Sequence, residues 1–185
     1  ASNQNLKKSP EDIDYTYVSR LFDGEVKTVV KTESPIIRPY DNNDIKVLKS
    51  FYDYKDEEST QENSIINYDT TYLPNNGVIY GGLNEDFDVK AIQSGKVTSI
   101  KEDKLMGKIV TIEHENNLTS IYSSLSEVTV KENDEISIGT IIGKSGESNL
   151  GKELGSNLLL EVTIDGKYVN PKDIYDKQIS DIKNN

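Results

Sequence analysis

A chain of 185 residues with one histidine, His114, and no cysteine has few ways to do chemistry. Activating water for amide hydrolysis at neutral pH with zinc takes about three strong protein ligands and usually a base. One imidazole and no thiolate cannot supply even a pair of such ligands, so His114 alone carries no site and reads as a structural or solvent-facing residue. Ser123 and Ser124 stand side by side, but a Ser–His–Asp triad would have to recruit His114 from a neighbouring strand. The 32 acidic side chains are numerous, yet their spacing marks neither a glycosidase-like pair nor an aspartic dyad. Asp86, Asp88, Glu102 and Asp103 read more simply as turns and strand ends. Gly81-Gly82 and the segment from Gly143 to Gly146 lack the Lys and Ser/Thr spacing of a phosphate loop and read as turns. The acidic run from Asp53 to Asn63 lacks the alternating acids, central Gly and terminal Glu of a calcium-binding EF-hand loop, so it reads as a solvated loop.

The elements that would position these groups are mostly strands. Ser9-Pro10-Glu11-Asp12 offers a cap, a Pro at the first helical position and an early acid, and Ile13, Tyr17 and Leu21 recur at fourfold spacing. A short amphipathic helix ending near Gly24 is expected there, after a polar stretch at residues 1–8. Val26, Thr28 and Val30 then alternate with polar neighbours, as Ile45, Val47 and Lys49 do less cleanly, which predicts strands. From residue 64 onward the chain is a succession of short β-rich runs, predicted at 64–68, 77–80, 87–91, 95–100, 108–113, 119–123, 127–130, 140–144, 158–164 and 167–169. Asp165-Gly166 between the last two is a two-residue hairpin signal, because a type I′ turn wants positive φ at both central positions. The segment from Pro171 is expected to make one capped helical turn and then fray in QISDIKNN.

Composition limits the partners. With 21 basic against 32 acidic residues the net charge is −11, which repels nucleic-acid phosphates and anionic lipid surfaces and reads either as plain solubility or as a surface that steers toward a basic protein face. No run approaches the roughly 18–20 apolar residues that cross a bilayer. The start at Ala1, without Met, is what a trimmed ectodomain with an anchor further upstream would show.

Several segments in fixed order resemble the LytM-type zinc endopeptidases of family M23. They are Ser94-Gly95-Lys96-Val97, Val110 to His114 (VTIEH), Thr119 to Ser126 (TSIYSSLS), Ile138-Gly139 through Gly146, Leu160-Glu161-Val162 and Val169-Asn170-Pro171. The resemblance implies a mainly β fold with an antiparallel β-sheet core, a short N-terminal helix and a β-rich N-terminal extension. The family holds zinc with an HxxxD pair and the second His of an HxH motif, and two further His residues assist catalysis. Carried onto this chain, those motifs fall on Tyr80 to Asn84, on Asn157-Leu158-Leu159 and on Ser124, where no His or Asp stands. The resemblance therefore implies degenerate former-site positions at Tyr80, Asn84, Ser124, Asn157 and Leu159, with no catalytic residue, no metal and no cofactor. Because Tyr80 and Leu159 are bulky and apolar, the groove is expected to be filled and dry. His114 falls at a turn position that is not a ligand.

A second set of segments is similar to a family of spore-forming Firmicutes, the stage II sporulation Q proteins: Ile37 to Tyr40 (IRPY), Asp44 to Lys49, Phe51 to Tyr54, Gln61 to Ile65, Tyr72 to Val78, Lys101 to Gly107 and Lys144 to Gly155. This implies a non-catalytic scaffold anchored by one upstream transmembrane helix on the forespore outer surface. There it faces the intermembrane space and binds the ectodomain of stage III sporulation protein AH in a higher-order ring or channel during engulfment. A peptidoglycan-binding module and a residual zinc endopeptidase are the alternatives. The expected organisation is a tail and helix over 1–24, a β-rich extension with the acidic loop over 25–63, a degenerate LytM/M23-like domain over 64–176, and a charged tail over 177–185.

Overall fold

In the computed structural model the described residues are 34–182. The expected N-terminal helix, the strand at Val26 to Val30 and the last three residues of the tail lie outside them. Twelve strands occur among the described residues. They are β1 (Lys46–Lys49), β2 (Ile65–Tyr68), β3 (Thr71–Pro74), β4 (Gly77–Gly81), β5 (Asp88–Lys90), β6 (Gly95–Asp103), β7 (Gly107–Glu113), β8 (Leu118–Val128), β9 (Glu135–Ile136), β10 (Ile141–Ser145), β11 (Asn157–Ile164) and β12 (Lys167–Val169). One antiparallel sheet runs in the order β1-β4-β11-β8-β7-β6-β9, with β10 bridging β5 and β8, and β12 paired to β11. β2 and β3 form a separate two-stranded ribbon. Short helices α1 (Glu58–Asn63) and α2 (Ile179–Ile182) and three 3-10 turns complete the described residues. The fold is mainly β, as the alternating runs predict, and antiparallel, as the resemblance implies.

Alternation assigns the two faces of the sheet. In β11, Leu158, Leu160 and Val162 point one way, and their cross-strand neighbours Tyr80, Val78 and Tyr122 point with them. These residues join Val97, Val110, Ile112, Ile142 and others in the main core, most of them without exposed surface. Leu159 lies between Ile79 and Ser123 and points the other way. It belongs to a separate small cluster with Ile66, Ile79 and Leu150. The hairpin closing β11 onto β12 follows its sequence signal, since Asp165 and Gly166 have φ of 50° and 77°, both positive as a type I′ turn requires.

Four differences from the sequence expectation have physical causes. The run at 119–123 and the start of the run at 127–130 are one strand, β8, which ends at Val128, because Ser124 takes a φ of +68° and the register shifts there without ending the pairing. The second half of the acidic run is helix α1, which buries no side chain. It is built on a turn in which Asp53 Oδ1 accepts from Lys55 N (2.9 Å) and Gln61 Nε2 donates to Asp56 O (2.7 Å). Polar local bonds of that kind leave no apolar period to read. Strand β3 follows a turn at Asp69, whose positive φ of 53° falls on a residue outside the usual Asn-Gly and Asp-Gly signals. The C-terminal QISDI does not fray: Ile179 is 4% exposed, Ile182 packs on the main core, and Ile36 and residues 176–177 exchange backbone bonds of 2.8 and 2.9 Å.

Candidate functional site

The face of the sheet that carries Leu159 is where the sequence expects a former active site. Register brings Ile79, Leu159 and Ser123 into one row across β4, β11 and β8, with Asn157 paired to Gly81 at the neighbouring position. Ser124 follows Ser123, and its positive φ turns it onto the same side, where Ser124 Oγ donates to Gly146 O at 3.0 Å. The backbones of Asn157 and Gly146 exchange bonds of 2.8 and 3.2 Å, and Asn157 Nδ2 donates to Gly155 O at 2.8 Å. Ser124, Asn157 and Leu159 thus come together around one hollow, which Ile79, Ser123, Met106, Ser148, Leu150 and Gly151 also line.

Tyr80 and Asn84 stand elsewhere. Tyr80 is one residue out of phase with Ile79, so its ring enters the main core on the opposite face of the sheet. There its hydroxyl lies 2.6 Å from the Tyr175 hydroxyl and its ring makes an edge contact with Tyr40 at 5.1 Å. Burial raises the Tyr80 and Tyr175 hydroxyl pKa values well above the usual phenol range. Asn84 is exposed in the loop between β4 and β5. That loop is pinned by Asp86, which accepts from Ser156 Oγ at 2.6 Å and Ser126 Oγ at 2.7 Å.

The hollow is nearly closed. Its volume is about 10 Å³, room for one water molecule at most. It is capped by side chains from outside the sheet: Leu150 from the 3-10 segment Asn149–Leu154, and Ile66 from the β2–β3 ribbon, both in the small cluster with Leu159 and Ile79. Met106 and Leu105, from the turn between β6 and β7, pack against the same cluster. Ser123 Oγ is buried there without a hydrogen-bond partner. These capping residues escaped the sequence reading because they come from loops distant in the chain; alternation along β4 was the one signal, since it puts Ile79 rather than Tyr80 on the face of Leu159.

The zinc that this type of fold implies does not fit the residues present. The hollow offers neutral hydroxyl and amide groups and an apolar Leu159, with neither imidazole nor carboxylate among its lining residues. Among the described residues no group of three or more His, Cys, Asp or Glu is arranged to hold a metal ion.

His114 sits apart, on the side of the main core. Its Nδ1 lies 2.9 Å from Ser94 O, which can only accept, so Nδ1 carries a proton. Nε2 lies 2.7 Å from Ser120 Oγ, which is 3.0 Å from the Tyr122 hydroxyl, and that hydroxyl accepts from Ile92 N at 2.9 Å. Burial lowers the His114 pKa, against the opposing bond to Ser94, and pushes the Tyr122 hydroxyl up to about 12. His114 is therefore a buried structural residue that ties the β7–β8 turn to the core, and both its nitrogens are occupied.

The comparisons with known proteins agree with this architecture. The model of peptidase family M23 matches residues 74–171. Stage II sporulation protein Q of Bacillus subtilis (strain 168) is 31% identical over 158 residues, which are 85% of this chain and 55% of that protein. The chain thus spans about half the length of that relative. The solved SpoIIQ–SpoIIIAH pore-forming complex aligns at 31% identity with a TM-score of 0.79, covering 83% of this chain and 98% of the other. A zinc-containing peptidase from Vibrio cholerae aligns at 21% identity with a TM-score of 0.59, over 74% of this chain and 39% of the other, a likeness of fold alone. With its antiparallel sheet, its ordered segments from Ser94 to Pro171 and a match over more than half its length, the chain belongs to peptidase family M23.

Proposed function

We propose that this chain is a non-catalytic member of its family that works as an extracytoplasmic scaffold of sporulation, binding the ectodomain of stage III sporulation protein AH across the space between forespore and mother cell. The observation that carries this reading is the 31% identity to stage II sporulation protein Q over 158 residues, together with the alignment over 98% of the matching chain in the SpoIIQ–SpoIIIAH complex. Channel or ring assembly during engulfment, and an upstream membrane anchor, belong to the same proposal; no helix among the described residues is long and apolar enough to cross a membrane.

The loss of catalysis rests on chemistry. One histidine and no cysteine in 185 residues leave no ligand pair of the kind zinc hydrolysis uses, and His114 is engaged on the other side of the sheet. We take Ser124, Asn157 and Leu159 as former-site positions that now close the hollow with hydrogen bonds and apolar packing; Tyr80 and Asn84, aligned by motif, are taken as positions whose side chains turned away from it. Residues 64–176 are the degenerate domain in this reading, and the preceding extension contributes β1, which pairs with β4.

A calorimetric titration of the chain with the ectodomain of stage III sporulation protein AH, with and without added zinc, tests the proposal. Binding indifferent to zinc is expected. Absence of heat, or binding that requires zinc, would mean that the partner or the loss of the metal site is wrongly assigned.

A further inference from the structure

The excursion from Asp53 to Pro74, comprising α1 and the β2–β3 ribbon, precedes nearly all of the residues matched by the family model and is not needed to complete the main sheet. Its inner side is occupied, since Ile66 is 4% exposed against the small cluster. Other large side chains of the excursion reach solvent, Tyr72 on the ribbon face opposite Ile66, and Tyr68 and Leu73 on the same face as Ile66. Six large apolar residues are exposed among the described residues, and four of them, Tyr54, Tyr68, Tyr72 and Leu73, fall within these 22 positions. Tyr54 and Tyr72 are 73% and 72% exposed, more than any other large apolar side chain described. An exposure of that size is not the rim of a core. The same stretch holds six carboxylates, Asp53, Asp56, Glu57, Glu58, Glu62 and Asp69, against Lys55 alone.

We propose that this excursion is the docking surface of the scaffold, and that its occupant is a protein face with Lys and Arg around an apolar centre. The inference rests on the scaffold reading above and names the surface that reading leaves open. Charge selects the occupant: exposed tyrosines in a stretch with six carboxylates and one lysine repel phosphate backbones and anionic lipids and attract a basic protein face. Ring chemistry agrees, because a cation already sits on one of these tyrosines, with Lys55 Nζ 5.5 Å from the Tyr54 ring centroid, and a partner Arg or Lys can use the ring of Tyr72 in the same way. The surface is also held in shape before binding. Tyr52 N donates to Asn75 O (2.8 Å), Asn75 N to Ser64 O (3.0 Å) and Asn75 Nδ2 to Ser50 O (3.0 Å), which ties both ends of the excursion together and lowers the ordering cost of association. Among the described residues the ribbon has no third strand, so a partner segment can also add along its edge.

The test is a binding series between the 185-residue chain and the ectodomain of stage III sporulation protein AH at low and at physiological salt. Replacing Tyr54→Ala together with Tyr72→Ala is expected to weaken affinity about tenfold, the loss typical of an aromatic anchor. Replacing Glu57→Lys, Glu58→Lys and Glu62→Lys is expected to slow association about tenfold at low salt and to leave dissociation nearly unchanged. A control with Ile141→Ala and Tyr168→Ala, exposed apolar residues elsewhere, is expected to stay within about twofold of the parent. All of these side chains are exposed, and an unchanged thermal midpoint verifies that each variant folds. If the parent binds and both excursion variants bind equally well, the surface lies elsewhere and this inference is overturned while the scaffold reading stands. If the parent itself does not bind, both fall.

Discussion

The two faces of β11 carry different kinds of interior. On one face Leu158, Leu160 and Val162 enter a large core that closes with Tyr80, Tyr122 and sixteen further buried residues, and beside it the polar His114 is hydrogen-bonded at both nitrogens. On the other, Leu159 meets only Ile66, Ile79 and Leu150 as buried apolar neighbours, beside three polar side chains, Ser123, Ser124 and Asn157. The first face is assembled by strands of the sheet and satisfies its polar groups. The second is capped by loops and a ribbon, and it leaves one hydroxyl unpaired. The contrast teaches that the fold is held by one face, so the residues of the other can change without loss of the architecture.

Truncation at adjacent positions separates the faces most strongly. Leu160→Ala removes a side chain with no exposed surface from the main core and is expected to cost about 4 kcal/mol, whereas Leu159→Ala, in a small cluster of few buried residues, is expected to cost about 2 kcal/mol. Urea unfolding of the two variants measures both; equal losses would break the comparison.

The serines of β8 provide the next contrast. Ser120→Ala leaves a buried His114 nitrogen and the Tyr122 hydroxyl short of a partner and is expected to cost about 1–2 kcal/mol in the same assay. Ser123→Ala deletes a hydroxyl that has no partner and is expected to be neutral or to stabilise by up to about 1 kcal/mol. A large loss at Ser123 would mean that its hydroxyl is doing something the geometry does not record.

The smallest effect is on pH dependence, where the faces should have opposite signs. His114 has a folded-state pKa lowered by burial from 6.5, so the folded chain binds fewer protons than the unfolded chain, and the stability it contributes is lost as pH falls below about 6.5. Glu161 lies on the face of Leu159, and burial raises its pKa, so its charged form is a burden at neutral pH that is relieved as pH falls toward its folded value. Each slope is limited to about 1.4 kcal/mol per pH unit. Urea midpoints between pH 7.5 and 5 are expected to fall less steeply in His114→Gln and more steeply in Glu161→Gln than in the parent. Matching slopes in the two variants would contradict the assigned burial.

The alternation of Leu158, Leu160 and Val162, the Asp165-Gly166 turn and the spacing of segments from Ser94 to Pro171 were legible because each is a local signal repeated along one strand or one hairpin. Helix α1 and strand β3 were not, since one is held by polar bonds to a turn and the other by pairing with β2 after an atypical turn. The candidate site was half legible: motif spacing led to Ser124, Asn157 and Leu159, which do converge, and also to Tyr80 and Asn84, which do not. Motif alignment counts positions, whereas the side a residue faces depends on its phase within the strand, and Tyr80 is out of phase by one.

Its residue types alone determined that this chain holds no imidazole pair and no thiolate, that its charge is strongly negative and that its second half is a run of short strands. The tertiary structure decided which of the residues expected at the site meet, what closes the space between them and where the exposed tyrosines stand. The reason is that these depend on contacts between segments far apart in sequence: Ile66 and Met106 reach the cluster of Leu159 across more than 90 and more than 50 positions respectively, and no local pattern specifies a partner that another part of the chain must bring.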